Sequence, residues 1–290
     1  MLMTKLLICP SERKELAFLS HGAPLVSAPL LGQSVVEYWL SALACSRVQK
    51  VLILAADRPE EIQARVGNGA RWGLDLKVIT ESRELTPAQA VIKYAPEFGP
   101  VPPPDAITVL DHLPGLPEYP LFVSYGSWFA GLRRWMPRAI TPDRVGVRKL
   151  KSGVWVGTDA HIASGARLRP PCWIGRHVFV GTRAVVGPNA IIEDGVIVEP
   201  SAEVTRSWVG PDTFVGQLGR IVDSLAWHDT LINRRTGSVA QVPDPFLLCA
   251  LRQPRRRRSA GWLARLAGLY ARNKDEVSVI WRHLLLRKEG

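Results

Sequence analysis

From Val156 onward an aliphatic residue returns at every sixth position: Val156, Ile162, Leu168, Ile174, Val180, Val186, Ile192, Val198 and Val204. Two residues ahead of each stands a small or modest one, in order Val154, Ala160, Ala166, Cys172, Val178, Ala184, Ala190, Val196 and Ala202. A helix repeats at 3.6 residues and a strand at 2, so neither alone carries a period of six. Short strands joined by tight corners do, with one aliphatic pointing inward per face and three faces to a coil. After Val204 the step drops to five, reaching Val209, and returns to six at Val215 and Ile221. The run amounts to about four coils, a stack of roughly 19 Å at about 4.8 Å per layer.

The stretches VGTDAH, IGRHVF, VGTRAV and VGPNAI resemble the hexapeptide repeat of left-handed parallel β-helices. The left-handed winding comes from that resemblance, since the general rule for parallel crossovers is right-handed. Gly157, Gly175, Gly181 and Gly187 are expected at the corners, where a side chain would crowd or a positive φ is needed. The resemblance also implies acyl transfer, in which a histidine takes a proton from the acceptor. His161, expected to point outward, and His177, expected at a corner, are the candidates. Repeat stacks also favour association through flat faces, so a homo-oligomer is expected.

Ahead of the repeat, helical spacing at Val35, Tyr38, Trp39, Ala42 and Leu43 is followed by a buried strand KVLILAA. A helix RPEEIQARV with Pro59 in its first turn comes next, and then a strand LDLKVIT. That order predicts an α/β sheet. The segments PLLGQSVVEYWLSAL, VGNGARWGLDLKVITES and ELTPAQAV resemble sugar-1-phosphate nucleotidyltransferases, enzymes that often end in hexapeptide repeats. The fold class expected is α/β: a truncated nucleotidyltransferase-like Rossmannoid sheet, then a left-handed parallel β-helix, then a C-terminal helical tail. The domains expected are residues 1–148, 152–222 and 223–290.

The resemblance implies a Gly-rich phosphate loop ending in Arg after the first strand. With ELAFLS read as that strand, the following HGAPLVSAPLLG has only Gly22 where a run of glycines belongs, and no Lys or Arg lies between Lys14 and Arg47. The family's lysine before Pro-Leu falls on Ala23. Its base and sugar loop falls on Thr80, Glu81, Leu85, Thr86, Gln89 and Ala90, so Gly22, Thr80, Glu81, Thr86 and Gln89 are the ligand-binding candidates. Catalysis in the family needs two carboxylates on Mg2+. Asp111 matches the first, and no second is evident downstream. Asp57 ends a strand where α/β ligand sites lie, with a cap on the helix at Pro59 as its structural alternative. GPVPPPDA, residues 99–106, reads as a stiff connector.

The net charge of +11 is uneven, because residues 252–290 alone carry eleven Lys and Arg against three Asp and Glu. Two amphipathic helices are expected there, with Trp262 and Trp281 in their apolar stripes. Arg255, Arg256, Arg257, Arg258 and Arg265 supply a basic face for an anionic membrane or a partner such as a membrane glycosyl-phosphate transferase. The charge is confined to one tail without a nucleic-acid module, so no nucleic-acid partner is expected. DSLAWHDTLINRRTG reads as a cap for the stack, with Trp227 and His228 in it.

Four scattered cysteines match no metal spacing and read as reduced thiols in cytosol. The amino terminus reads as neither leader nor spanning helix. No metal site and no cofactor are expected, save Mg2+ if transfer activity persists, and the ligands expected are a nucleotide or a sugar phosphate. The reading is a nucleotidyltransferase-type protein of sugar-nucleotide or envelope polysaccharide synthesis, impaired in catalysis and acting as scaffold or regulator. It would be cytoplasmic and peripheral at the inner membrane face. The alternatives are an active nucleotidyltransferase with a rebuilt site and a hexapeptide acyltransferase.

Overall fold

The computed structural model describes residues 3–20, 22–98, 105–139 and 146–251. They fall into two compact units. The first is the described part of Met1–Val145 with Asp223–Leu225 and Ile232–Val239. The second is the described part of Gly146–Val222, Ala226–Leu231 and Ala240–Gly290. The basic tail, including Arg255 to Arg258, Trp262, Arg265 and Trp281, lies outside the described residues, as does most of the Pro-rich connector.

In the first unit the chain runs β1 (Met3–Ile8), α1 (Ala17–Ser20), α2 (Val35–Ala44), β2 (Val48–Ala55), α3 (Pro59–Val66) and β3 (Asp75–Thr80). It continues through α4 (Pro87–Lys93), β4 (Ile107–Val109) and α5 (Tyr125–Trp135). The four strands form one parallel sheet in the order β3-β2-β1-β4. Leu6, Leu7 and Ile8 of β1 are all buried, the continuous apolar run of a strand covered on both faces. One face gathers Leu6, Ile8, Leu52 and Leu54 against Leu85, Ala90 and Phe98.

The first strand is therefore Met3–Ile8, and ELAFLS is helical, a 3-10 turn at Lys14–Leu16 running into α1. The reason is spacing: Leu16 and Leu19, three apart, are its buried apolar residues. The α2, β2, α3 and β3 segments stand where the sequence places them. Ser34 and Glu37 close a capping box at the start of α2, with both the Ser34 amide and its hydroxyl donating to Glu37 Oε2, at 2.9 and 2.7 Å.

The second unit begins with β5 (Val147–Lys151), antiparallel to β6 (Val154–Gly157), after which the chain coils. Each coil advances eighteen residues: Phe179 pairs with His161, Val185 with Arg167 and Trp173 with Trp155, all in parallel. The inward residues form one apolar column that includes Val156, Ile174, Val180, Val186, Ile192, Val198 and Val204. In the last coil the register becomes seventeen, as Phe214 on Ile197 and Trp208 on Ile191 show. A strand Leu248–Ala250 returns antiparallel beside Thr213–Val215.

The corners lie three residues before each aliphatic. Asp159, Gly165, His177, Arg183, Asn189, Gly195, Ser201, Arg206, Asp212 and Leu218 all have positive φ. Asn, Asp and His tolerate this region better than most residues; Arg183, Ser201, Arg206 and Leu218 adopt it under the constraint of the stack. The four expected glycines each follow an aliphatic directly and so stand off these left-handed corners, but the two reasons expected for them, crowding or positive φ, both hold. Of Gly157, Gly175, Gly181 and Gly187, only Gly187 has positive φ. The other three are required by crowding: a Cβ on Gly157 would lie 2.5 Å from Arg176 N, and one on Gly181 would lie 2.6 Å from Pro200 N, each in the next coil.

Candidate functional site

The carboxyl ends of parallel strands are where α/β sheets bind ligands, above all where the strand order reverses. In this sheet β1 leads to β2 and β3 on one side while β4 lies on the other, so the reversal falls between β1 and β4. Four loops leave that edge: residues 9–13 after β1, Ala56–Arg58 after β2, Glu81–Thr86 after β3 and Leu110–His112 after β4.

The loop after β1 is Cys9-Pro10-Ser11-Glu12-Arg13, with no glycine. Its donors point at a carboxylate of the chain itself. The Ser11 amide donates to Glu84 Oε2 at 2.8 Å, and Arg13 donates to both Glu84 oxygens at 2.9 and 3.0 Å. A backbone N-H beside a guanidinium fork is how proteins hold phosphate. Here the acceptor is Glu84. Cys9, at the end of β1, is buried, and burial pushes its thiol well up, so it stays protonated.

Asp57 does not cap α3. The cap position belongs to Arg58, whose φ of 42° is left-handed, and no side chain caps the helix. Asp57 instead accepts from Arg58 Nε and Nη2 at 2.8 and 2.9 Å. That pairing is the leading reason the Arg58 guanidinium is raised above its ordinary value. Arg58 also donates to the carbonyls of Gly22 and Ala23, so Gly22, at φ 85°, is held by a structural bond to its backbone.

Thr80, the last residue of β3, is exposed, and Glu81 just after it is buried. Glu81 accepts from Lys93 Nζ at 2.7 and 2.9 Å and from the Tyr94 hydroxyl. Burial alone would raise the Glu81 carboxyl, but those two donors outweigh it and leave it below its ordinary value. Thr86 and Gln89 form the capping box of α4, each side chain bonded to the other's backbone. After β4, Asp111 Oδ1 lies 2.7 Å from His112 Nδ1, and the His112 carbonyl accepts from Trp39 Nε1 at 2.7 Å. Every carboxylate singled out on this edge thus has a donor of its own. Glu84, Arg13, Arg58, Lys93 and His112 are residues that sequence reasoning passed over.

In the coils, His161 is exposed and stacks on Phe179 one coil later, with centroids 5.4 Å apart and planes 6° apart. His177 occupies a left-handed corner with Nδ1 3.6 Å from Asp159 Oδ2. Nearby, a recess of about 410 Å3 is lined by Gly146, Arg148, Val156, Thr158, Asp159 and Ala160, among others. Among the described residues no group of three or more His, Cys, Asp or Glu could hold a metal ion, and no helix is long and apolar enough to cross a membrane.

The repeat geometry has a counterpart among known families. Residues 171–206 match the model for the bacterial transferase hexapeptide, six repeats. Residues 171–206 are hexapeptide repeats. A curated relative, glucose-1-phosphate thymidylyltransferase of Streptomyces antibioticus, is 29% identical over 90 residues. The match spans 31% of this chain and 25% of that protein, so the chain covers about a quarter of the length of its relative. Among solved structures, a mutant of perosamine N-acetyltransferase from Caulobacter crescentus, in complex with CoA and GDP-perosamine, aligns at 10% identity and a TM-score of 0.17. That alignment covers 62% of this chain and 93% of the other.

Proposed function

We propose that the chain is a nucleotidyltransferase-like protein of sugar-nucleotide or envelope polysaccharide synthesis that does not transfer nucleotides, and that it acts as a scaffold or regulator on left-handed hexapeptide coils. The observation that carries this reading is Glu84. Its carboxylate occupies the Ser11 amide and the Arg13 fork, the donors a phosphate would need after β1. An incoming triphosphate would have to displace a charged partner already in place and then face that carboxylate at close range.

Against Mg2+ at this edge we set the partners its carboxylates already have: Asp111 is engaged by His112, Asp57 by Arg58 and Glu81 by Lys93 and Tyr94, and among the described residues no group of three or more His, Cys, Asp or Glu could hold a metal ion. The full chain incubated with nucleoside triphosphate, sugar 1-phosphate and Mg2+ should release no pyrophosphate above background. Release that Asp111→Ala abolishes would overturn the proposal.

The basic tail is the docking element in this reading, placing the protein on the inner membrane face or on a membrane glycosyl-phosphate transferase. The full chain should float with anionic liposomes, and removal of residues 254–290 should leave it at the bottom of the gradient. A full chain that never floats removes the membrane from the proposal. Acyl transfer through His177 is the second reading. Its support is the Asp159 carboxylate 3.6 Å from Nδ1, placed as an orienting partner for an imidazole base.

A further inference from the structure

The stack of coils has an end at its first coil. There the inward residues Ile162, Ala166 and Leu168 are only partly buried, whereas Val180, Val186 and Val198 in later coils are completely so. β5 borders that end. Arg148 pairs with Val156 and Lys149 with Trp155, and then the register shifts so that Lys151 pairs with Val154. Leu150 is the extra residue of the resulting bulge and is 48% exposed.

The bulge decides where the cations go. Val154 and Val156 are inward residues, and paired residues share a face, so Arg148 and Lys151 both lie on the inward side. Without the bulge Leu150 would face Val154 and Lys151 would turn outward. The placement has an electrostatic trace: the charge of Lys151 reaches the inward thiol of Cys172, opposing the burial that pushes that thiol up to about 12. Neither cation has an ion-pair partner among the described residues. The acid in the recess wall, Asp159, has its carboxylate toward His177.

We infer that this end of the stack binds an alkyl phosphate, a phosphate monoester joined to an aliphatic chain. Val147 and Ala160 give the recess its accessible aliphatic surface, and Arg148 stands in its wall. Arg148 in the wall, with Lys151 further along the same face of β5 and Asp159 turned to His177, suits a phosphate held at the β5 rim of the recess. The recess, about 410 Å3, lies within the size range of small-molecule sites. An aliphatic surface favours a methylene chain over a nucleobase, which seeks a ring to stack on.

The test is calorimetric titration of the full chain with hexyl phosphate, inorganic phosphate, hexanol and dTDP. Hexyl phosphate should bind at least about tenfold more tightly than the other three, because only it engages both aliphatic surface and cations. The pair Arg148→Ser and Lys151→Ser should weaken it at least about tenfold with the melting temperature unchanged, both positions being exposed. Ala160→Phe, which covers that surface, should abolish the preference over inorganic phosphate. Phosphatidic acid vesicles that compete for hexyl phosphate would place the ligand in a bilayer, and vesicles that do not would make it a soluble alkyl phosphate; both support the site. Hexyl phosphate binding no tighter than phosphate or dTDP, or binding unchanged in the double variant, overturns it.

Discussion

Gly181→Ala should destabilise the coiled unit by about 3 kcal/mol, at the upper end of what overpacking costs. The added Cβ would sit 2.6 Å from Pro200 N and 2.9 Å from Glu199 C, backbone atoms of the coil above. Neither can rotate away, so the layers must part, and the parallel bonds on either side, such as Gly181 N to Val198 O at 2.8 Å, lengthen with them. Gly165→Ala is the contrasting case. Its φ of 82° is unfavourable for an L-residue, but the nearest atom to a new Cβ is 4.0 Å away, so about 1–2 kcal/mol of backbone strain is the whole effect. Thermal and denaturant unfolding of both variants would separate crowding from conformation. Equal losses at the two sites would mean that coil spacing is softer than the geometry implies.

Trp208→Phe should cost a further large amount, also about 3 kcal/mol. Trp208 and Glu193 are both completely buried, and the indole Nε1 donates to Glu193 Oε1 at 3.0 Å. Removing one partner of a buried hydrogen bond costs about 1–3 kcal/mol, because the polar atom left behind has lost water as well as its donor. The indole also meets Trp227 edge to face, with centroids 5.7 Å apart, a contact a smaller ring would loosen. The discriminating measurement is a double-mutant cycle with Glu193→Leu. Replacing Glu193 should reduce the penalty of Trp208→Phe, because the buried acceptor that the indole satisfies is gone. Strict additivity would assign the whole loss to ring packing.

The coils were legible because their signal is periodic and local: the inward column from Val156 to Val204 is written in the sequence one residue in six. The helices at Val35 and Pro59 and the strands after them were legible for the same kind of reason. Met3–Ile8 closes on an apolar run ended by Pro10, twelve residues ahead of ELAFLS, the segment that the sequence reading takes as the first strand. That shift hid the loop at residues 9–13 and its partner. Glu84 meets Ser11 across 73 residues of chain, and no local pattern marks such a pair. The same holds for Arg58 reaching the carbonyls of Gly22 and Ala23.

Two other features were illegible for different reasons. Leu218 and Arg183 carry none of the turn chemistry that Gly, Asn or Asp would announce, yet both sit in left-handed corners, because the coils above and below fix the path between strands. Trp155, Trp173 and Trp208 occupy outward positions that a six-residue pattern leaves free, and all three are buried. The period specifies the inside of the stack and says nothing about what its outside meets.

The five-residue step between Val204 and Val209 shows where this architecture accepts edits. One residue is missing between Val204 and the corner at Arg206, and the pairings above it simply count seventeen in place of eighteen, with every strand still in line. Ser207 mends the gap, its buried hydroxyl lying 2.8 Å from Thr205 O and 3.2 Å from Ile221 O. A length change at a corner is thus absorbed within one turn of the chain. A new loop spliced in at such a vertex would project from the surface while the strands on both sides keep their stacking, which makes the corners natural grafting points for a binding loop or an affinity handle.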